Sequence, residues 1–144
     1  MGILWAQEEL AILRRTKTYP ELAKLALHLL KRMPQPIGQV CGPLTSGGLG
    51  TLEMNFMIFQ ATVKKLISEG INIFDQLPFE PHLLRIKGSE YHNGELQLLE
   101  EFYGPIFNSR LVKTLYFIRG WKSSFGSSWE HKEAKRLKIR IVYL

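Results

Sequence analysis

One cysteine, Cys41, stands in a chain of 144 residues. It has no partner for an intramolecular disulfide, and it excludes a cysteine-rich metal site. No apolar run reaches the roughly 18–20 residues needed to cross a bilayer. The first stretch, MGILWAQEELAILRR, has no basic segment ahead of its apolar residues and carries Glu8 and Glu9 within them. It therefore does not read as a secretory signal. Position 6 is an alanine, which does not suit an N-myristoylation motif. A cytoplasmic location and no membrane partner are the simplest reading. His82, His92 and His131 share no metal-ligand spacing, so no metal is assigned and no cofactor is expected. Internal repeats and low-complexity segments are also missing. The stretch PLTSGGLGT is rich in glycine, but no Gly-Lys-Ser/Thr follows it, which rules out a P-loop. Gly48 and Gly50 match G-x-G, yet position 53 is Glu53, so the dinucleotide fingerprint is incomplete.

What is present is a chain with 45% hydrophobic residues, enough for a real core, at a length for which one domain is the default. The net charge is +6, from 19 Lys and Arg against 13 Asp and Glu. Such a balance attracts polyanions or phosphorylated small molecules. The excess is spread from Arg14 to Arg32 and from Lys132 to Arg140, with no tight basic run interleaved with aromatics. A solvated basic surface is favoured over a nucleic-acid site.

Periodicity sets the organisation. A helix is expected through Leu4, Leu10 and Leu13. A second begins at Pro20 and carries Leu22, Ala26, Leu29, Leu30 and Met33 as its stripe. IGQVCG at 37–42 reads as a buried strand. A strong helix follows, with Leu52, Phe56, Phe59, Val63 and Leu66 at core spacing and Gly70 at its end. INIFDQ reads as a second strand, and LPFEPHLLRIKGSEYHNG as a long irregular connection. ELQLLEEFYGPIF is expected to be helical and broken near Gly104-Pro105. VKTLYFIRGW, SSWEHKEAKRL and IRIVYL read as strand, helix and strand. This alternation predicts an α/β fold with a mostly parallel sheet, preceded by two helices.

In such sheets ligands bind beyond the carboxyl ends of the strands. Three loops meet that condition: GPLTSGGLGT, QLPFEP and GWKSSFGSS. The first offers backbone N–H groups at a helix start, suited to an anion. The third supplies Ser124, Gly126, Ser127 and Ser128 ahead of Glu130. Glu130 has two readings. Ser127-x-x-Glu130 is a capping box, which requires no function. Positions 130, 134 and 137 also share one side of the helix, so Glu130 faces the top edge of the sheet as a nucleophile would. Asp75 and Glu80 end the second strand and are further candidates. Trp121 and Trp129 flank the third loop, as pocket walls or as packing. Cys41 reads as a packing residue, and His28 as a surface or core residue rather than a ligand.

The stretches QVCGPLTSGG, NFMIFQATVKKLISEGINIFDQLPFE and LYFIRGWKSSFGSSWEHKEAKRLKIRIVYL together resemble the nucleoside 2-deoxyribosyltransferase-like superfamily, which includes 2′-deoxynucleoside 5′-monophosphate N-glycosidases. The most specific parts are the strand ending in Gly42-Pro43 and the Ser-x-Gly-x-x-x-Glu pattern at Ser124, Gly126 and Glu130. The resemblance covers residues 37–144. It implies a flavodoxin-like or Rossmann-like sheet of four to five strands, in an α/β domain at 36–144 behind a helical extension at 1–35. It implies that Glu130 attacks C1′ of a deoxyribose to form a covalent glycosyl ester, which a second base or water resolves. Ser124 and Gly126 would hold the 5′ end of the sugar. Gly42, Pro43, Ser46, Gly47 and Gly48 would close the other side, with Glu80, Trp121 and Ser128 completing the substrate site. The partner implied is a nucleoside or nucleotide, in a homodimer or larger homo-oligomer, for which the N-terminal helices offer a surface.

Two positions depart from the family pattern. Gln39 stands where a tyrosine is usual, and Lys113 where an aspartate is usual. An earlier family aspartate has no clear match, with Glu100, Glu101 and Asn108 as possible stand-ins. These departures keep a second reading open, a nucleotide or nucleotide-sugar binding protein without catalysis on the same fold.

Overall fold

The computed structural model describes residues 5–45 and 47–144. Leu4 and Ser46, both named above, lie outside the described residues. Helix α1 spans Gln7–Arg15 and α2 spans Tyr19–Lys31. The Thr18 hydroxyl caps α2, and Pro20 sits in its first turn, where its missing N–H costs nothing. The expected stripe is buried at Leu22, Ala26, Leu29 and Leu30, and Leu13 of α1 joins it. Glu9, also in α1, is buried as well. Its carboxylate accepts from the Ala6 N–H at 2.8 Å and pairs with Arg32 and His28, which tie α1 to the end of α2.

Strand β1 is Ile37–Cys41, β2 is Val112–Phe117 and β3 is Arg140–Tyr143. All pairings are parallel, in the order β1-β2-β3. A fourth strand position lies on the other side of β1, through a parallel bridge between Gly38 and Ile73. The Gly38 N–H donates to Asn72 and the Phe74 N–H donates to Gly38, both at 2.8 Å. The sheet is therefore four-stranded and all-parallel, as expected, with the segment INIFDQ reduced to that one bridge.

Alternation along β1 divides the core. Val40 packs with Ile73, Ile118 and α3 (Leu52–Ser68) through Phe59, Val63 and Leu66. Ile37 and Cys41 face the other way, into the larger cluster built with α2 and the C-terminal helices. That cluster is continuous from Leu22 and Leu29 to Phe102, Ile106 and Ala134, so the two N-terminal helices share one core with the sheet. Leu52, expected in the core, is exposed at the start of α3.

Two segments differ from expectation. Residues after the second strand are helical: a 3₁₀ turn at Leu77–Phe79 leads into α4, Glu80–Lys87. Pro78 and Pro81 both fall in first turns, where proline is tolerated. The helix expected to break near Gly104-Pro105 instead runs on. It comprises α5 (Glu95–Leu98), a π turn at Leu99–Tyr103 and α6 (Gly104–Asn108). Pro105 cannot donate to a carbonyl one turn earlier, and a widened turn ahead of it accommodates that loss without ending the helix. The last helix, α7, is Phe125–Leu137.

Buried Asn55 of α3 holds the loop between β1 and α3. Its Nδ2 donates to Leu44 O (3.2 Å) and Gly47 O (3.0 Å), and its Oδ1 accepts from Leu49 N–H (3.1 Å). Gly48 has φ +64°, and a Cβ there would lie 2.4 Å from Asn55 Oδ1. Asn55→Ala is expected to lower stability by about 1–3 kcal/mol, read by chemical denaturation, because three loop groups lose a buried partner. A loss under a few tenths would mean the loop is held elsewhere.

Candidate functional site

The carboxyl ends of the strands open into a cleft. Each wall comes from a different element. Gly42, Leu44 and Thr45 follow β1, while Gln76 and Glu80 follow the bridge strand. Leu99 and Tyr103 come from the π turn, and Ser124, Gly126, Ser127 and Glu130 come from the start of α7.

The helix start decides between the two readings of Glu130. Ser124, not Ser127, is the N-cap: its hydroxyl accepts from the Ser127 N–H at 3.3 Å. The Ser127 hydroxyl is engaged elsewhere, donating to Trp121 O at 2.7 Å. The helix thus begins one turn earlier than a Ser127 cap requires, and Glu130 lies inside it with no capping role. The expected facing holds, since Ala134 and Leu137 are buried on the same side. Glu130 is 6% exposed, and its Oε2 has no hydrogen-bond partner among the described residues.

Burial is the largest cause that moves Glu130, pushing its pKa up to about 8. The Cys41 thiol opposes the shift by hydrogen bonding to the carboxylate, and the Glu80 charge adds to it. Glu80 is half-buried, with its carboxyl accepting from Tyr103 Oη at 3.3 Å. Burial raises it to about 7, against the Tyr103 hydrogen bond and the Lys87 charge. The Glu80 charge thus adds to the rise at Glu130, and both carboxyls hold their protons above the ordinary carboxylate range. Such a pair presents an acid and a base to one ligand. Gln76 adds an oriented acceptor: its Nε2 donates to Val40 O at 3.0 Å, and its buried Oε1 is unpartnered among the described residues.

Of the residues expected to bind substrate, Gly42, Glu80, Ser124 and Gly126 line this cleft with Glu130. A Cβ on Gly42 would meet Ile118 Cβ at 2.8 Å, so only glycine lets the strand end lie that close to its neighbour. The other expected residues lie elsewhere. Pro43 and Gly48 line a separate groove with Leu49 and Ile58. Three N–H groups of the glycine-rich loop are engaged within the protein. The Gly48 N–H donates to Ser123 Oγ (2.7 Å), Leu49 N–H to Asn55, and Gly50 N–H to Gly47 O. Gly47 lies so close to Ser123 that a Cβ would meet its carbonyl at 2.3 Å. These glycines join two loops together. Trp121 stacks on His131 (4.1 Å, 23°) and lines a surface cleft with Tyr143. Ser128 is bonded to Lys122 O, outside the Glu130 cleft. Trp129 packs on Phe107.

Lys113 is exposed on β2, and neither Asp75 nor Glu100, Glu101 or Asn108 lines the cleft. Gln39 is fully buried in β1, with both amide atoms unpartnered among the described residues. Sequence reasoning missed Tyr103 and Gln76, and assigned Cys41 to packing alone. Tyr103 gave no signal because the π turn shifts the helical register that would place it. Among the described residues, no group of three or more His, Cys, Asp or Glu side chains is arranged to hold a metal. No described helix is long and apolar enough to cross a membrane. Set against protein-family models, curated proteins and solved structures, the chain finds no match.

The raised carboxyls make a stability prediction. Both folded-state values exceed the ordinary 4.5, so these two carboxyls bind more protons in the folded chain than in the unfolded chain up to about pH 8. Their contribution to stability is full below about pH 4.5 and falls as pH rises through that window. Glu130→Gln removes one ionisation. It is expected to match the wild type near pH 5 and to exceed it by up to a few kcal/mol near pH 8.5. Melting curves at the two pH values check this, and equal melting temperatures at the higher pH would refute the buried charge.

Proposed function

We propose that this chain cleaves the N-glycosidic bond of a 2′-deoxynucleoside or its 5′-monophosphate, as an N-glycosidase or a deoxyribosyltransferase. The observation that carries the reading is the pair of raised carboxyls, Glu80 and Glu130, lining one cleft. The family resemblance at Gly42, Ser124, Gly126 and Glu130 gives the pair its assignment.

Glu130 is the weaker acid of the two, so this mechanism requires its proton to pass to the Glu80 carboxylate as the sugar binds, leaving Glu130 ionised and Glu80 protonated. A Glu130 carboxylate oxygen attacks C1′, the C1′–N bond breaks, and its electron pair goes to the base nitrogen. The Glu80 carboxyl protonates that nitrogen, so the base leaves neutral. Tyr103 donates to the Glu80 carboxylate that results. A water molecule then attacks C1′ and gives its proton to Glu80, which releases the sugar and restores Glu130. A second base in place of water gives transfer. Holding two carboxyls away from water supplies both the acid and the nucleophile near neutral pH.

Gln39 favours a second reading, a nucleotide-binding protein without turnover. It stands at the usual tyrosine position of the resembled family, buried with no partner among the described residues.

The test is base release from a panel of deoxynucleosides and deoxynucleoside monophosphates, with and without a free acceptor base. Wild type is expected to release base, and Glu130→Ala to release none. Glu80→Gln is expected to be slower by about 10²–10⁴-fold. Acid-quenched wild type is expected to carry one sugar adduct on Glu130 by mass spectrometry. No release from any member of the panel would remove the enzymatic reading, and tight calorimetric binding in that case would support the second.

A further inference from the structure

The sequence keeps its cations and its aromatics apart, but the fold brings them together at the carboxyl ends of β2 and β3. Trp121 follows β2, His131 lies on α7 and Tyr143 ends β3. The Tyr143 ring lies 6.2 Å from that of Trp121 and within 22° of parallel. His131 Nε2 and Tyr143 Oη are 2.7 Å apart, so a hydrogen bond fixes a tyrosine that is 60% exposed. A ring that is both open and held in place is a stacking surface with little left to order on binding.

Cations surround these rings. Lys122 Nζ stands 5.7 Å from the centre of the Trp121 ring. Burial, and then the charges of Lys135 and Lys122, hold His131 below its ordinary pKa, which places both ammonium groups near the imidazole. Arg119 and Lys122 line the surface cleft that Trp121 and Tyr143 share, and no Asp or Glu side chain lines it. Two acids stand between Arg119 and Arg140. Glu130 is buried in the other cleft, and Glu133 is bonded to Arg136. The face is therefore positive as well as aromatic.

A ligand that matches it must carry negative charge and offer flat, unsaturated rings. A duplex hides its base faces in its own stack. An unpaired strand offers a base face and a phosphate at every residue, the combination that rings set among cations hold best. We propose that the face around Trp121 and Tyr143 binds single-stranded nucleic acid, with bases stacked on the exposed rings and phosphates against Arg119, Lys122 and Lys135. This cleft shares no lining residue with the Glu130 cleft, so the proposal does not rest on the N-glycosidase reading.

The test is fluorescence anisotropy of a labelled single-stranded oligodeoxynucleotide of about 12 residues, titrated with the full chain over a range of salt concentrations. Wild type is expected to bind, with affinity falling as salt rises. Tyr143→Ala is expected to weaken binding by roughly fivefold or more, and Tyr143→Phe, which keeps the ring, to retain it. Lys122→Ala is expected to lower the slope of log affinity against log salt by about 0.7, while Lys31→Ala, the same change of charge on α2, leaves the slope unchanged. No binding at low salt would overturn the proposal, as would wild-type binding by both Tyr143→Ala and Lys122→Ala. Equal competition by a duplex or by heparin would also overturn it, because the rings would then contribute nothing. A mononucleotide that displaces the strand at equal phosphate concentration would replace the strand with a free nucleotide as the ligand.

Discussion

Two carboxyls kept out of water at the carboxyl end of a small parallel sheet set the conditions for everything around them. A buried, ionised carboxyl costs several kcal/mol unless it is paired or protonated. Among the described residues no cation pairs with Glu130. Its near neighbours are the Cys41 thiol and the Glu80 carboxyl, and both acids respond by holding their protons to higher pH. Glu9 shows the contrast within the same chain. It too is buried, but Arg32, His28 and the Ala6 N–H hold its pKa below the usual range. The buried Glu9 is built as a structural ion pair, and the buried Glu130 and half-buried Glu80 are left poised.

That arrangement depends on how β1 ends. β1 lies between the bridge strand and β2 and sends successive side chains into two different clusters. At its end, Cys41 reaches toward Glu130 and Gly42 lets the chain turn beside Ile118. The loop that follows is held by Asn55 and by Ser123, which fasten it to α3 and to the loop before α7. The glycines there serve close approach between two loops.

The same helix serves the site and the outer surface. Helix α7 turns a carboxylate inward where a capping role had been open, and on another side it sets His131 and Lys135 beside Trp121, Lys122 and Tyr143. A buried carboxyl and an exposed ring each depart from the pattern that would suit a solitary folded domain, and such departures concentrate where a protein binds something. The rings of Trp121, His131 and Tyr143 hold one another in place, with His131 Nε2 and Tyr143 Oη 2.7 Å apart.

By itself the sequence determined the order of elements, the parallel α/β architecture, the core stripe of α2 and the side of α7 on which Glu130 lies. These follow from periods of two and 3.6 residues and from Pro and Gly punctuation, all of which act within a few positions. It did not determine where α7 begins, because Ser124 and Ser127 are both good caps and only the position of Trp121 O engages one of them elsewhere. Nor could it show that residues 77–87 are helical or that the helix before β2 passes Pro105 through a π turn, since packing against the core outweighs local preference there. The meeting of Glu80, Tyr103 and Glu130 was decided by tertiary structure alone. Burial and charge coupling arise between elements distant in the chain, and no local pattern records them.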